Sequence, residues 1–423
     1  GASSTLTNAV TGRTNGAMLA LIQTAEGGNG GGSDTGAAGA GGAASSALTF
    51  NDLNSATQSN DVSGTSTAVS GAGGAISAGS TNGGAGGAAT AACTITAEYQ
   101  AVATATANNH VSLSSLIAGG GNSVGGTGGA GGAALATANA TSKAGSAVAS
   151  TTADGGDGGS SVSGHGGIGG NAMAESAATG VTVTSDAGAI GGSGAGGDGQ
   201  AVATATGNGA NGTAGAGAST AMFATSKVYD ITASASASVS GTTTVTAQSL
   251  LMATAPNFIT SDQAVALATG LPSSTSTTPV LTANSQIAAA FNGLPTIFAL
   301  EELGGAYSVS GTGTETSTST IDFNANLTTQ DFSHDLMLGL YGGQLSGSGV
   351  TGVTLDISAN GTTILNQNFT GSTATTYFTN HAIDLGSLAT STYAAGTLSL
   401  QVQLQVTTDN GNSGFFGGLL LGG

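Results

Sequence analysis

Basic side chains are nearly missing from this chain: Arg13, Lys143 and Lys227 stand against 21 acidic residues, for a net charge of −18 over 423 residues. A surface without clustered Lys and Arg cannot neutralise phosphates, which excludes nucleic acid as a partner and disfavours anionic lipid heads. Charged residues of both signs make up only 6% and there is no tryptophan, so the chain lacks the charge density that keeps disordered proteins solvated. The single cysteine, Cys93, rules out an intrachain disulfide framework. Its setting in the alternating stretch 91–96 makes it a small buried residue. No apolar run reaches the ~18 residues that a membrane-spanning helix requires. The four histidines, His110, His165, His334 and His381, lie at no metal-ligand spacing from one another. No glycine tract ends in the Gly-Lys-[Ser/Thr] of a phosphate loop.

Glycine is what the chain has in excess: 76 residues, 50 of them between 27 and 240. The hexapeptide Gly-Ala-Gly-Gly-Ala-Ala occurs at 39–44, 84–89 and 129–134, at two equal spacings of 45 residues. Looser echoes follow at 167–172 and 194–199. Between the boxes run alternating Ala, Thr, Ser and Val segments such as 101–106 and 201–206. A fixed long period is the signature of stacked repeats. The array holds only four aromatics, Phe50, Tyr99, Phe223 and Tyr229, so its stability has to come from close backbone approach rather than large buried side chains. Gly39, Gly41, Gly42, Gly84, Gly86, Gly87, Gly129, Gly131 and Gly132 are the expected packing positions.

Two architectures meet these needs. In a β-solenoid, Ala/Thr/Val strands form the faces and glycine boxes the corners. In a polyproline-II bundle, Gly-Gly-X triplets let threefold helices pack side by side. The triplet runs at 125–132 and 164–170 favour the second and the alternating segments the first, so a mixture is expected. These runs resemble the glycine-rich domains of secreted bacterial surface proteins, including the PGRS-type mycobacterial family and bacterial β-strand-repeat proteins. The resemblance implies an exported, surface-associated, non-enzymatic protein. The chain starts at Gly1 rather than Met, as expected of a mature form whose signal peptide has been removed.

In order, residues 1–26 read as an N-terminal arm, 27–240 as the repeat stack and 241–304 as a helical connector or cap. Residues 305–410 read as an antiparallel β-sandwich and 411–423 as an apolar tail. The connector holds all four prolines and three expected helices at 261–270, 284–291 and 296–303. Strands are expected at 320–327, 353–357, 363–369 and 397–406, with Asn360-Gly361 as a hairpin turn. The fold class is therefore mainly β.

Chemistry is sparse. The sequence Gly121-Asn-Ser123-Val-Gly125 matches a hydrolase elbow, but the glycines that follow forbid the helix such an elbow needs. Asp154, Asp157 and Asp198 lie in glycine turns without the nine-residue recurrence of a calcium-binding repeat, so no cofactor is expected and calcium is a remote one. The leading expectation is a non-enzymatic structural subunit of an extracellular assembly: a filament, sheath, surface layer or biofilm matrix. It would polymerise with copies of itself by exchanging a terminal segment, Ala17, Met18, Leu19, Leu21 and Ile22 or Phe415, Phe416, Leu419, Leu420 and Leu421. The alternatives are an adhesin that holds a surface glycan, and an ice-binding protein using flat Thr/Ala faces such as 101–106.

Overall fold

The computed structural model describes residues 1–108, 119–192, 194, 196, 199, 201–220, 232–240, 262–270, 272, 274–294, 297–307, 315–326, 334–387, 397–409 and 411–423. Of these, 208–220, 232–240, 262–265, 267–270, 307, 315, 322–326 and 397–398 are described by their backbone alone. The chain divides into two compact units, one built mainly of residues 1–178 and the other mainly of 234–423.

In the first unit, alternation of small apolar and polar residues produces strands β1 (Ser4–Thr7), β2 (Met18–Glu26), β3 (Ala44–Asn51), β4 (Asp61–Val69), β5 (Ala89–Ala97), β6 (Gln100–Asn108), β7 (Ala134–Ser142), β8 (Ser146–Asp154) and β9 (Ala172–Gly191). Each of β1 to β6 pairs in parallel with the strand two places on, and β7 pairs with β9. β1, β3, β5, β7 and β9 make one column, and β2, β4, β6 and β8 the other. In the first column the box period sets the register: Ala44 lies beside Ala89, and Ala89 beside Ala134. The two columns face each other over an interior of alanine, in which Ala91, Ala103, Ala105, Ala136 and Ala149 are fully buried. Gly64 of β4 lies directly under Cys93 and Ile95 of β5. Ser66 of β4 donates to the Ser46 carbonyl of β3 at 2.9 Å. Cys93 is buried as expected, and burial pushes its thiol up to about 11.

The protein is thus mainly β, but the large sheet corrects the expected architecture. A glycine-rich β-solenoid does not form. The sheet is parallel, its strands are built of Ala, Ser and Thr, and the boxes at 39–44, 84–89 and 129–134 form segments outside the strands up to their last alanine. Glycine loses more entropy than any other residue on entering a strand and brings no side chain to pack there. Alanine and threonine therefore take the ladders.

The second unit carries most of β11 (Thr232–Ser240), and β12 (Asp262–Gly270), α1 (Ser274–Ala283), α2 (Ser285–Ala290), β13 (Ile297–Tyr307), β14 (Glu315–Asn326), β15 (Asp335–Ser346), β16 (Val350–Ala359), β17 (Thr362–Phe369), α3 (Gly371–Tyr377), β18 (His381–Ser387), β19 (Thr397–Thr408) and β20 (Ser413–Gly422); β9, β10 (Ala201–Thr220) and β11 have residues in both units. Two antiparallel sheets form. One runs β12-β13-β20-β15-β18. The other runs β14-β19-β16-β17, with β11 beside β14. The expected hairpin is present: Asn360 and Gly361 hold φ of 47° and 77° between β16 and β17. Leu400, Val402, Leu404 and Val406 of β19 are buried on one face, as the alternation predicts.

Two expected helices are strands. Of the spans 261–270 and 296–303, residues 262–270 form β12 and 297–303 lie within β13, because the ladder with β20 supplies β13 with backbone partners that outweigh local helix preference. Gly304 and Gly305 do not stop a helix; Gly304 leaves room for the Phe416 ring. The helix at 284–291 forms as α2, with Gly293 at φ 92° past its end. α1 and α2 bring Val280, Ile287 and Phe291 onto Leu300 of β13 and Leu420 of β20. They therefore cover the second unit's own sheet.

Candidate functional site

The boxes at 39–44, 84–89 and 129–134 lie against neighbouring backbone, and their glycines take part in bonds between repeats. Gly39 N–H donates to Gly31, Gly74 to Gly39, Gly84 to Gly74, Gly121 to Gly84, Gly129 to Gly121, Gly159 to Gly129 and Gly167 to Gly159. This is a chain of glycine-to-glycine bonds of 2.7–2.9 Å running through successive repeats. A second chain runs three residues away, with Gly42 donating to Gly28, Gly71 to Gly42 and Gly87 to Gly71. A Cβ added at Gly41, Gly42, Gly84, Gly87, Gly129, Gly131 or Gly132 would overlap a neighbouring carbonyl oxygen, and at Gly86 it would press on the Gly132 nitrogen. Backbone contact this close is the physical reason the boxes admit only glycine at these positions.

Serine turns close this layer on one side. Ser33, Ser123 and Ser161 each accept a 2.9 Å bond from the N–H of a glycine three residues on, Gly36, Gly126 and Gly164. Ser123 Oγ also donates to the Thr81 carbonyl at 2.7 Å, so the hydroxyl of the elbow-like motif is engaged in turn stacking. The Ser-x-x-Gly spacing is the sequence signal for these turns.

On the outer face of the second column, in-register pairing aligns side chains into rows across β2, β4, β6 and β8. Ile22, Thr65, Thr104 and Ser150 form one row, and Thr24, Thr67, Thr106 and Thr152 the next. Ala20, Ser63, Val102 and Val148 make a third. These rows contain no charged residue; the carboxylates Glu26, Asp61 and Asp154 stand only at strand ends. The hydroxyls of Thr65, Thr67, Thr104, Thr106, Ser150 and Thr152 have no hydrogen-bond partner among the described residues. The stretch 101–106 was expected to present both Ala and Thr; instead Ala101, Ala103 and Ala105 point inward and Val102, Thr104 and Thr106 outward.

The terminal segments are bound within the chain. Met18, Leu19, Leu21 and Ile22 belong to β2, which pairs with β4. Leu19 and Leu21 are buried, while Met18 and Ile22 are each 65% exposed; Ala17 precedes the strand and its carbonyl accepts from Asn60. The tail expected to lie outside the domains is instead β20, with β13 on one side and β15 on the other. Phe415, Phe416, Leu419, Leu420 and Leu421 are fully buried. Gly417 and Gly418 make the strand fit, since their missing side chains leave space for Phe378 and Tyr341.

The second unit also buries carboxylates. Glu302 of β13 and Tyr341 of β15 both lie opposite Gly418 of β20. Burial pushes the Glu302 carboxyl up to about 7. Burial, with Glu302 and Glu301 nearby, raises the Tyr341 phenol well above its ordinary value. Among the described residues no group of three or more His, Cys, Asp or Glu could hold a metal ion. Asp198 and His110 lie outside the described residues. No described helix is long and apolar enough to cross a membrane. No protein-family model, curated protein or solved structure shows significant similarity to the chain.

Proposed function

We propose that the protein is a structural, non-enzymatic subunit of an extracellular assembly, a stiff element whose glycine layer is a polyproline-II bundle laid beside the parallel strands. The observation that carries this reading is the glycine-to-glycine ladder. Its bonds recur at every third residue, at Gly28 and Gly31, Gly39 and Gly42, and Gly71 and Gly74, which is the period of polyproline II. A layer of that kind resists bending. Export is consistent with the scarcity of Lys and Arg, which leaves few sites for trypsin-like proteases, and with the resemblance to glycine-rich bacterial surface proteins.

Self-association would run through β2. Among the described residues this strand pairs on its β4 side alone, and an unpaired strand side accepts another chain. Exposed Met18 and Ile22 add apolar area to that strand. The buried β20 has both sides occupied, which leaves β2 as the assembly segment. Sedimentation velocity and negative-stain imaging of the purified full-length chain test the reading. Polymers are expected, and a Met18→Lys/Ile22→Lys variant should remain folded and disperse to monomers, because edge lysines oppose strand addition. A wild-type protein that stays monomeric across concentrations would overturn it.

A further inference from the structure

We propose that the outer face of β4, β6 and β8 binds the surface of ice, through the rows Thr65–Thr104–Ser150 and Thr67–Thr106–Thr152. This inference rests on that face alone and does not depend on the assembly reading.

The face is a two-dimensional grid. Paired strands repeat at about 4.8 Å across the sheet, and residues on one face repeat at about 6.6 Å along each strand. Parallel pairing without a register shift puts like side chains in line across three strands. The result is hydroxyl and methyl groups at regular intervals in both directions, which is what a crystal of water presents in return.

Three further features favour ice over a solute or a polymer. The rows carry no charge, and the nearest carboxylates, Asp61 and Asp154, stand at the strand ends. Fixed charges would draw water into shells that no lattice can share, whereas a neutral face imposes no such shell. Among the described residues the hydroxyls have no partner, so each can bond to a lattice water, with the threonine methyls occupying gaps. Threonine is stiff at χ1, and parallel pairing on both sides of β6 holds the backbone behind it. Little side-chain or backbone entropy is then lost on contact, so many weak bonds can sum to a firm attachment. A flat polysaccharide is the other occupant a planar face can take. Stacking on sugar rings calls for aromatic side chains, and these rows contain none.

The outer face of β5 provides an internal control. Its row Thr90, Ala92, Thr94 and Thr96 lies in register with Leu135, Thr137, Asn139 and Thr141 of β7. Side chains of different length alternate there, and Leu135 stands exposed, so the relief is uneven.

The test uses the full-length chain in a nanolitre osmometer, which reports crystal shape and the gap between melting and growth temperatures. The wild-type protein should facet a seed crystal and hold its growth below the melting point. Thr106→Tyr, a strand-compatible change that breaks the grid, should abolish that gap. Thr94→Tyr on the opposite face should preserve it. Circular dichroism melts of all three proteins should coincide, since both positions point outward. Rounded crystals growing freely in wild-type protein would overturn the proposal, as would Thr106→Tyr matching wild type. Retention on crystalline cellulose without any effect on ice would also overturn it, in favour of a polysaccharide face.

Discussion

Gly132 lies against the carbonyl of Gly87 from the preceding repeat, so close that a methyl group on Gly132 would overlap the oxygen. Gly131 stands in the same relation to the Gly156 carbonyl. The two contacts tie one glycine box to the repeat on either side of it, which a loop of the same composition would not do.

Replacing Gly131 or Gly132 with Val should therefore destabilise the first unit severely, by about 3 kcal/mol or more, because backbone on both sides leaves no room for a β-branched side chain. Gly31 is the matched control. It belongs to the same layer, yet nothing lies within 4 Å of the position its Cβ would take. Gly31→Ala should melt within a degree or two of wild type, or slightly above it, as the unfolded chain loses freedom. Equal melting temperatures for Gly132→Val and Gly31→Ala would show that the boxes do not pack.

The buried carboxylate gives the second unit a pH dependence of definite sign. Glu302 sits at about 7 in the folded chain against 4.5 ordinarily, so the folded state holds its proton more tightly than the unfolded state. Stability from this group is complete below pH 4.5. It falls as pH rises through the window up to about 7, by on the order of 3 kcal/mol in total. Asp186 of the first unit, also raised by burial, gives that unit a dependence of the same sign. Denaturant midpoints measured from pH 4 to pH 8 should fall across that window, and Glu302→Gln should flatten the fall. An unchanged slope in the variant would assign the effect elsewhere.

Removing residues 412–423 should not release a well-behaved monomer. That segment is a central strand, and its loss would leave β13 and β15 without their shared partner. The truncated chain should be insoluble, or lose the near-ultraviolet dichroism of Tyr341, a retained residue whose ring packs at Gly418 in the intact chain. A soluble truncated protein that keeps the wild-type tyrosine signal would contradict the pairing.

What could be read from the sequence was local. Alternation over 397–406 and the Asn360-Gly361 turn specified a strand and a hairpin, because both signals act within a few residues. The box period specified the register of β3, β5 and β7. The strands at 262–270 and 297–307 were hidden because short runs rich in Ala and Leu satisfy helix and strand periods alike. What decides between them is pairing with residues 413–422, more than 100 positions away from β13. The same distance made the tail look unattached: Phe415 and Leu421 find their neighbours only once β13 and β15 are in place. The threonine rows were half legible. Two-residue spacing is visible in 101–106, but their alignment with Thr65 and Ser150 depends on turns of unequal length, residues 52–60, 98–99 and 143–145.

That glycine backbones bond from repeat to repeat is tested most directly by amide hydrogen exchange on the intact protein. Gly42, Gly71, Gly84, Gly87 and Gly129 lie outside every strand, yet each donates to a glycine carbonyl. Their amides should exchange as slowly as those of Ala103 and Ala136 in the strands, since opening one bond requires the layer to separate. Exchange of these five amides at unstructured-chain rates, with the strand amides still protected, would contradict the account.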